Sequence, residues 1–342
     1  MKKHKNIKRV CALDTMYTLL QYLLISTEEE INSTFFFWLG NVDDNIKHYF
    51  KNKSATFRNE MSFWEILILY YIETPIKWPF LLRNDVRRFC SDHIGFESIV
   101  ARRKPFELLE DGLLCYVDNY PVVWENRRLH GIKKFLLGPV FASHQKIGEE
   151  KTCIKIHLTG LKDADILRDS RAVIQSFPSL WNKSSPSKKN KILEIFGINR
   201  EMLEGLRGKK WIIVTQPFSE GNVISEESKI KIYKKIVDFI HDDTSVVIKP
   251  HPREKTDYEK YFPGVIVFKS KAPIQLFSLC GIQFENICTV CSTAAYGFPY
   301  DYNLYYFGTE IDPILNEKIP DGRLSNIGTL PPNINLCNKH SI

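Results

Sequence analysis

The sequence lacks any long uncharged apolar run, and it lacks the motifs of several common enzyme classes. No stretch of about 18 uncharged apolar residues occurs, so we expect no membrane-spanning helix. The phosphate-loop pattern GxxxxGK(S/T) and the dinucleotide-binding pattern GxGxxG are both absent. Neither the GxSxG of serine hydrolases nor the HExxH of zinc proteases is present. These absences remove the main sequence support for all of these classes.

The chain also has little that indicates metal binding, disulfides or nucleic-acid binding. Its eight cysteines include one CxxC pair, Cys288 and Cys291, and no second pair completes a zinc site. We therefore expect no metal site, and reduced thiols as in the cytoplasm. The net charge of +7 is too diffuse to indicate nucleic acid, and it suits an anionic ligand or an anionic membrane surface.

The N-terminus resembles a signal peptide only in part. Basic residues precede an apolar segment from Val10 to Ile25, but Asp14 interrupts it and no clear cleavage site follows. The sequence thus predicts a cytoplasmic protein. We interpret the basic run from Lys2 to Arg9 as a solvated N-terminus, with docking on anionic lipid as the alternative.

The pattern of apolar segments predicts two α/β domains. A chain of 342 residues allows two hydrophobic cores, since single cores stop growing near roughly 250–300 residues. Segments 7–13, 15–26 and 34–39 follow the pattern strand, helix, strand, which begins a parallel α/β domain. The pattern restarts at Lys209 with a helix at 226–241. The strands predicted there are 211–215, 245–248, 265–268, 287–290 and 304–307.

The predicted architecture is therefore two doubly wound, Rossmann-like domains that face a cleft. Residues 1–125 form the N-terminal domain, 126–208 an irregular or helical connecting region, and 209–342 the C-terminal domain. Segment 64–71 is apolar enough to be a strand or a helix. Further expectations are a strand at 106–109, a surface loop at 182–190 and a helix at 187–206.

Four polar clusters follow predicted strands, at the carboxyl ends where α/β sheets bind ligands. Each cluster is short and weak alone, and their shared position is the argument. The clusters are Glu110-Asp111-Gly112, Thr215-Gln216-Pro217, Lys249-Pro250-His251-Pro252 and Cys291-Ser292-Thr293.

Asp111 is the candidate general base. A carboxylate held at a strand end can accept the proton of an attacking hydroxyl, and Gly112 permits a sharp turn after it. The alternative is a turn aspartate that caps the next segment. Glu110 is the neighbouring candidate, but adjacent strand residues face opposite ways.

His251, Ser292 and Thr293 are candidates for binding a phosphate. Flanking prolines limit where the His251 imidazole points, and a protonated histidine can donate to a phosphate leaving group. Ser292 and Thr293 open a predicted helix, where hydroxyls and backbone N–H groups bind anions. The alternatives are a histidine packed in a loop and an ordinary helix cap.

Asp163 and Asp165 form a DxD pattern, which can bind a metal–diphosphate. They lie in the irregular middle region, and the pattern is common by chance. We therefore do not assign a metal to them.

In the order and spacing of these clusters, the chain is similar to bacterial sialyltransferases of the GT-B architecture, and it resembles glycosyltransferase family 52. Those families carry a (D/E)-D-G motif, an HP motif and a serine-rich phosphate motif, which match Glu110-Asp111-Gly112, His251-Pro252 and Ser292-Thr293. The match is best over 211–297 and thin over 125–205. One departure is Gln275, which stands where the families commonly place an acid that binds the ribose.

The resemblance implies an inverting, metal-independent sialyltransferase with no cofactor and with CMP-sialic acid as donor. The acceptor is a terminal galactose-type sugar of a lipooligosaccharide or capsule. Asp111 and His251 are the implied catalytic residues. The implied substrate-binding residues are Glu110, Gly112, Gln216, Pro217, Lys249, Pro252, Gln275, Ser292 and Thr293.

Two other functions stay open at the level of sequence. The first is a transferase that uses a nucleotide-diphosphate sugar such as UDP-glucose, because the fold does not determine the sugar. The second is a glycan- or nucleotide-binding protein without activity. The expected partners are a nucleotide sugar and a glycan, with peripheral membrane contact and no nucleic acid. The oligomeric state is open, with a homodimer as one option.

Overall fold

The computed structural model describes residues 6–38, 42–56, 62–91, 101–102, 104–116, 135–136, 148, 150–241, 245–320 and 334–336. The chain divides into two compact units, Met1–Ile195 and Phe196–Ile342. Both units are built on a parallel sheet. Among the described residues, none of the helices combines the length and the apolar character needed to cross a membrane.

The first unit contains a sheet of seven parallel strands. Their order is β3-β2-β1-β4-β5-β6-β7, and it reverses between β1 and β4, which makes a topological switch point. The strands are β1 Arg9–Leu13, β2 Thr34–Trp38, β3 Ser54–Thr56, β4 Arg87–Ser91, β5 Phe106–Leu109, β6 Cys153–Leu158 and β7 Ala172–Ile174.

Strand β2 shows why this sheet forms. Its sequence, TFFFW, is buried at every position. Phe35 and Phe37 pack together with ring centroids 5.0 Å apart, while Phe36 stacks on Trp38 on the other face at 4.8 Å. Strands that are covered on both faces are continuously apolar, as parallel sheets require.

Strands β6 and β7 correct the predicted domain organisation. Both lie within 126–208, which we expected to be a connecting region, and both belong to the first sheet. Strand β6 was missed because Lys155 and His157 interrupt its apolar pattern. Both side chains face Glu107 of the neighbouring strand β5.

The helices of the first unit resolve one open prediction and correct two. Segment 64–71 is helical, with an α-helix that continues as a π-helix at Leu69–Glu73. The loop expected at 182–190 is confirmed only at Ser184 and Ser185, because one helix continues to Lys183 and Pro186 starts the next, as proline at a first turn can. The α-helices are Met16–Ile25, Glu28–Asn32, Asp44–Tyr49, Phe63–Ile68, Thr74–Lys77, Phe177–Lys183 and Pro186–Ile195. The 3₁₀ turns are Pro79–Leu82, Leu113–Tyr116 and Asp165–Arg168.

The single helix predicted at 187–206 is wrong, because the structure has two helices there. The first ends at Ile195 and the second is Arg200–Leu206. Between them Gly197 has φ +64, a left-handed conformation that ends a helix. Asn199 then caps the second helix by accepting the N–H of Met202.

The second unit contains six parallel strands in the order β10-β9-β8-β11-β12-β13. This is the Rossmann order, with its switch point between β8 and β11. All five strands predicted for this unit are confirmed to within one residue. The strands are β8 Trp211–Val214, β9 Val246–Lys249, β10 Ile266–Val267, β11 Asn286–Thr289, β12 Asn303–Tyr306 and β13 Ile334–Leu336.

The helix Glu226–Ile240 supplies much of the core of this unit. Ser225 caps it, and Ile232, Tyr233 and Ile236 are buried at helical spacing. The other α-helices are Arg200–Leu206, Tyr258–Tyr261, Gln275–Leu279 and Pro313–Lys318. The 3₁₀ turns are Thr293–Tyr296 and Thr309–Ile311.

Candidate active site

In the first unit, Asp111 lies two residues after the end of β5 and is partly exposed. Gly112 has φ +90, the turn that the sequence predicted. The Asp111 carboxylate accepts the hydroxyl of Thr18 at 3.0 Å and the hydroxyl of Thr15. Thr15 is the N-cap of the helix Met16–Ile25, which follows β1. The start of one helix therefore holds the candidate base in place.

Glu110 has a different role from its neighbour. Its side chain is fully buried, and its two oxygens accept Tyr17 Oη and Tyr116 Oη at 2.6 Å, Thr159 N at 2.5 Å and Thr159 Oγ1 at 2.7 Å. Burial raises the pKa of Glu110, and these hydrogen bonds oppose that rise. We expected Glu110 to bind substrate, and the structure instead makes it an anchor within the protein.

Sequence reasoning missed the partners of Glu110. Tyr116 also accepts the N–H groups of Gly160 and Leu161 through its hydroxyl, at 2.9 and 3.3 Å. Thr159 follows β6 and lies 49 positions from Glu110 in sequence. No local pattern links residues so far apart. For Asp111, by contrast, the sequence offered one signal, because its partner Thr15 stands at the start of a predicted helix, where threonine is a common cap.

In the second unit, His251 lies after β9 in a loop held by backbone contacts. Its Nδ1 accepts the N–H of Arg253 at 3.2 Å. Burial, and then the charges of Arg253 and Lys249, lower the pKa of His251 to about 4. The imidazole is therefore neutral near pH 7 with its proton on Nε2. This corrects the expected protonated histidine for the protein without ligand.

The other predicted residues of this edge lie on neighbouring strands. Lys249 is the last residue of β9, and its Nζ donates to the carbonyl of Pro250 at 3.0 Å. Burial lowers the pKa of Lys249 to about 8. Gln216, after β8, donates its N–H to the hydroxyl of Tyr233 at 2.7 Å. Pro217 and Pro252 are both partly exposed.

Ser292 and Thr293 follow β11, across the switch point from β8. Ser292 is buried and donates its N–H to Thr289 Oγ1 at 2.9 Å, while Thr293 is exposed. The segment that we expected to be a helix is a single 3₁₀ turn, Thr293–Tyr296. The dipole of so short an element contributes little, so the predicted anion site rests on the two hydroxyl groups.

Gln275 is buried at the start of the helix Gln275–Leu279. Its amide packs against Gly297, where an added Cβ would overlap the amide nitrogen. Gly297 has φ −96, which any residue can adopt. An alanine at this position would therefore require the Gln275 amide to move, while the backbone conformation itself needs no glycine.

The DxD pair lies on an exposed turn of the first unit. Asp163 and Asp165 both pair with Arg168, at 3.4 and 2.9 Å. Within the part of the chain that the structure describes, no group of three or more histidine, cysteine or acidic side chains could hold a metal ion. The two carboxylates are engaged with a cation of the protein itself.

Comparison with known protein families assigns the chain to a chemical class. The family model for glycosyltransferase family 52 matches residues 21–313. This chain belongs to glycosyltransferase family 52. This chain is 32% identical to an uncharacterized protein of Haemophilus influenzae over 245 residues. The aligned region covers 70% of this chain and 75% of the relative. The protein is therefore a glycosyltransferase.

Solved structures show the fold of this family 52 enzyme. A sialyltransferase of Photobacterium damselae, resolved as its GT-B domain, aligns with a TM-score of 0.60 and 14% identity over 96% of this chain and 97% of that one. A 2,6-sialyltransferase of Photobacterium sp. JT-ISH-224, in complex with CMP and lactose, aligns with a TM-score of 0.62 and 13% identity over 96% and 78%. The fold is α/β of the GT-B type, as predicted.

Proposed function

We propose that this glycosyltransferase is an inverting sialyltransferase that moves sialic acid from CMP-sialic acid to a terminal galactose-type sugar. The acceptor is a surface glycan, lipooligosaccharide or capsule, or its precursor. The observation that carries the proposal is the partly exposed Asp111 carboxylate, held by two threonine hydroxyls at a strand end. The CMP and lactose bound to one structural neighbour agree with these substrate classes.

Asp111 takes the proton of the acceptor hydroxyl. The hydroxyls of Thr15 and Thr18 fix one carboxylate oxygen, Oδ1. A base in a fixed position lowers the barrier because little reorganisation is needed when the proton moves. Glu110 keeps the end of β5 in place, through bonds to residues that follow β1 and β6.

His251, Ser292 and Thr293 act on the departing CMP. The neutral His251 imidazole carries its proton on Nε2, since Nδ1 accepts a backbone N–H. A phosphate near the ring adds negative charge and raises the pKa of the imidazole, so the charged donor forms when the ligand is present. Gln216, Lys249 and Gln275 contribute to binding the nucleotide.

A donor screen tests this function. The purified enzyme is incubated with CMP-sialic acid, UDP-glucose and GDP sugars, with lactose as acceptor, and the products are measured by mass spectrometry. We expect transfer from CMP-sialic acid. Transfer from UDP-glucose supports the nucleotide-diphosphate alternative. Nucleotide binding by calorimetry without turnover on any donor supports a binding protein.

We expect activity to survive EDTA, because CMP leaves as a monophosphate and no diphosphate charge has to be neutralised. Initial rates are measured with and without chelator. The pairing of Asp163 and Asp165 with Arg168 agrees with this expectation. A loss of activity on chelation that Mg²⁺ or Mn²⁺ restores would contradict it and favour a diphosphate donor.

Gly297→Ala is expected to weaken CMP binding, because the added methyl group displaces the amide of Gln275 from the position where it contacts the ribose. One hydrogen bond is worth about 0.5–1.5 kcal/mol, so the loss is about 2- to 10-fold in calorimetry. Gly205→Ala is the control, since nothing lies within 4 Å of a Cβ there. If both variants bind CMP as tightly as wild type, Gln275 does not contact the ribose.

The proposal places the enzyme in the cytoplasm, in peripheral contact with anionic membrane. The net charge of +7 supports such contact, and so does a lipid-linked acceptor. Residues 2–5 of the basic run lie outside the described residues, and Arg9 at its end is buried in β1 and paired with Glu30, so it is not part of a solvated segment. Sedimentation with vesicles of neutral or anionic lipid tests membrane contact, and sedimentation velocity without vesicles measures whether the enzyme is a homodimer.

A further inference from the structure

Glu254 lies three residues after His251, and its carboxylate folds back onto the loop that carries this histidine. Oε2 of Glu254 accepts the N–H of His251 at 2.6 Å, and the N–H of Glu254 donates to the carbonyl of His251 at 2.9 Å. The side chain of Glu254 is fully buried. A charge-assisted bond to a backbone N–H is shorter and stronger than a neutral one, so this pair fixes the loop.

The same carboxylate joins two other elements to the loop. Thr215, which follows β8, donates its hydroxyl to Oε2, and Tyr258 donates its hydroxyl to Oε1 at 2.7 Å. Thr215 Oγ1 also lies 3.3 Å from the N–H of His251. Glu254 therefore connects the backbone of His251 to the end of β8 and to the helix Tyr258–Tyr261.

A buried lysine accompanies this carboxylate. The side chain of Lys229, on the helix Glu226–Ile240, is fully buried, and its Nζ lies 2.9 Å from Glu220, 3.1 Å from Glu226 and 3.6 Å from Glu254. Removing charges from water costs free energy that their attraction often fails to recover, so such a cluster is weak evidence for stability. A role in fixing geometry accounts for it better.

We propose that Glu254 is a positioning residue that holds the His251 imidazole at the leaving phosphate, with Lys229 as its buried counter-ion. This inference rests on the proposed function of His251. Glu254 itself is buried and acts through the histidine. The second unit alone contains every residue involved.

Glu254→Gln tests the inference by its effect on turnover. A small displacement of a catalytic group can cost up to about 10²-fold in rate, so we expect kcat to fall about 10- to 100-fold. Donor KM and the CMP dissociation constant are expected to stay within about 3-fold of wild type, because Glu254 acts only through His251. Glu226→Gln is the matched control, since it removes one partner of Lys229 on the same helix and, among the contacts described, touches neither His251 nor Glu254.

A double variant separates positioning from a merely structural role. In the His251→Ala background, Glu254→Gln should lower kcat no further, because the group that it positions is gone. A purely structural role predicts losses that add. Additive losses, or a normal kcat for Glu254→Gln when His251→Ala is impaired, would overturn the inference. If Glu254→Gln does not fold, Tyr258→Phe removes one donor to the same carboxylate and should show a milder fall in kcat with the same non-additivity.

An NMR measurement keeps this test independent of the donor. The imidazole resonance of His251 is assigned by its loss in His251→Ala. We expect Glu254→Gln to move or broaden it and Glu226→Gln to leave it unchanged. An unchanged resonance in Glu254→Gln contradicts the inference. If wild type does not use CMP-sialic acid, the proposed function fails, and the resonance still tests Glu254.

Discussion

Replacement of Asp111 by asparagine is expected to lower kcat by about 10²-fold or more while CMP affinity stays nearly unchanged. A general base contributes about 10²- to 10⁴-fold to rate, and an amide cannot take the proton of the acceptor hydroxyl. Asparagine keeps an oxygen that can accept the hydroxyls of Thr15 and Thr18, so the local fold should be retained. Initial rates with CMP-sialic acid and calorimetry with CMP give the two quantities.

The control for this variant is Asp163→Asn, which removes an exposed carboxylate of the same unit that pairs only with Arg168 among the contacts described. It is expected to keep normal turnover. If Asp111→Asn also turns over normally, Asp111 is not the base. The other candidate carboxylates are poor bases, because Glu110 accepts four hydrogen bonds, and bonds from Lys255 and Lys229 outweigh burial and lower the pKa of Glu220 to about 2.

Where one face or both faces of a strand are apolar, the sequence is sufficient to locate it. Strands β2 and β8 were predicted nearly to the residue because each contains a continuous run of apolar residues. Strand β4 was not, since it begins with Arg87 and Arg88. Arg88 is buried and donates to the carbonyls of Leu81 and Val86, a use of arginine that composition cannot reveal.

Three short edge strands were missed for a different reason, whereas the edge strand β10 lies within the predicted apolar run 265–268. Strands β3, β7 and β13 have three residues each, which is too few to show a period. They form because a neighbouring strand is already in place. Pairing of this kind is a property of the sheet and is not visible in the segment itself.

For the candidate site, motifs at strand ends located Asp111 and His251 but not the residues that hold them. A strand end can be recognised locally, from an apolar run followed by a polar turn. Glu254 could not be recognised so, because its partners Thr215 and Lys229 are 39 and 25 positions away in sequence. The charge state of His251 also depended on burial, which the flanking prolines do not indicate.

The second large effect is expected at the residues proposed to bind the phosphate. Substitution of His251 should mainly lower kcat, whereas substitution of Ser292 should weaken CMP binding. His251 gains its charge only when the phosphate is present and leaving. The substitution His251→Ala should therefore mainly lower kcat. A donor used only in the transition state is worth about 10²- to 10³-fold. Alanine keeps the backbone N–H that binds Glu254, so the loop should stay folded. His48→Ala, at an exposed histidine of the first unit, is the control.

Ser292→Ala should instead weaken CMP binding, because its hydroxyl contacts the phosphate in the ground state and the transition state alike. A hydrogen bond to a charged group is worth about 1.5–3 kcal/mol, which is about 10- to 150-fold in affinity. The Ser292 N–H bond to Thr289 Oγ1 is a backbone contact and survives the substitution. Calorimetry with CMP and initial rates on both variants measure the contrast. If His251→Ala folds and is fully active, His251 does not act on the leaving group. If Ser292→Ala binds CMP as tightly as wild type, the phosphate does not bind at the end of β11.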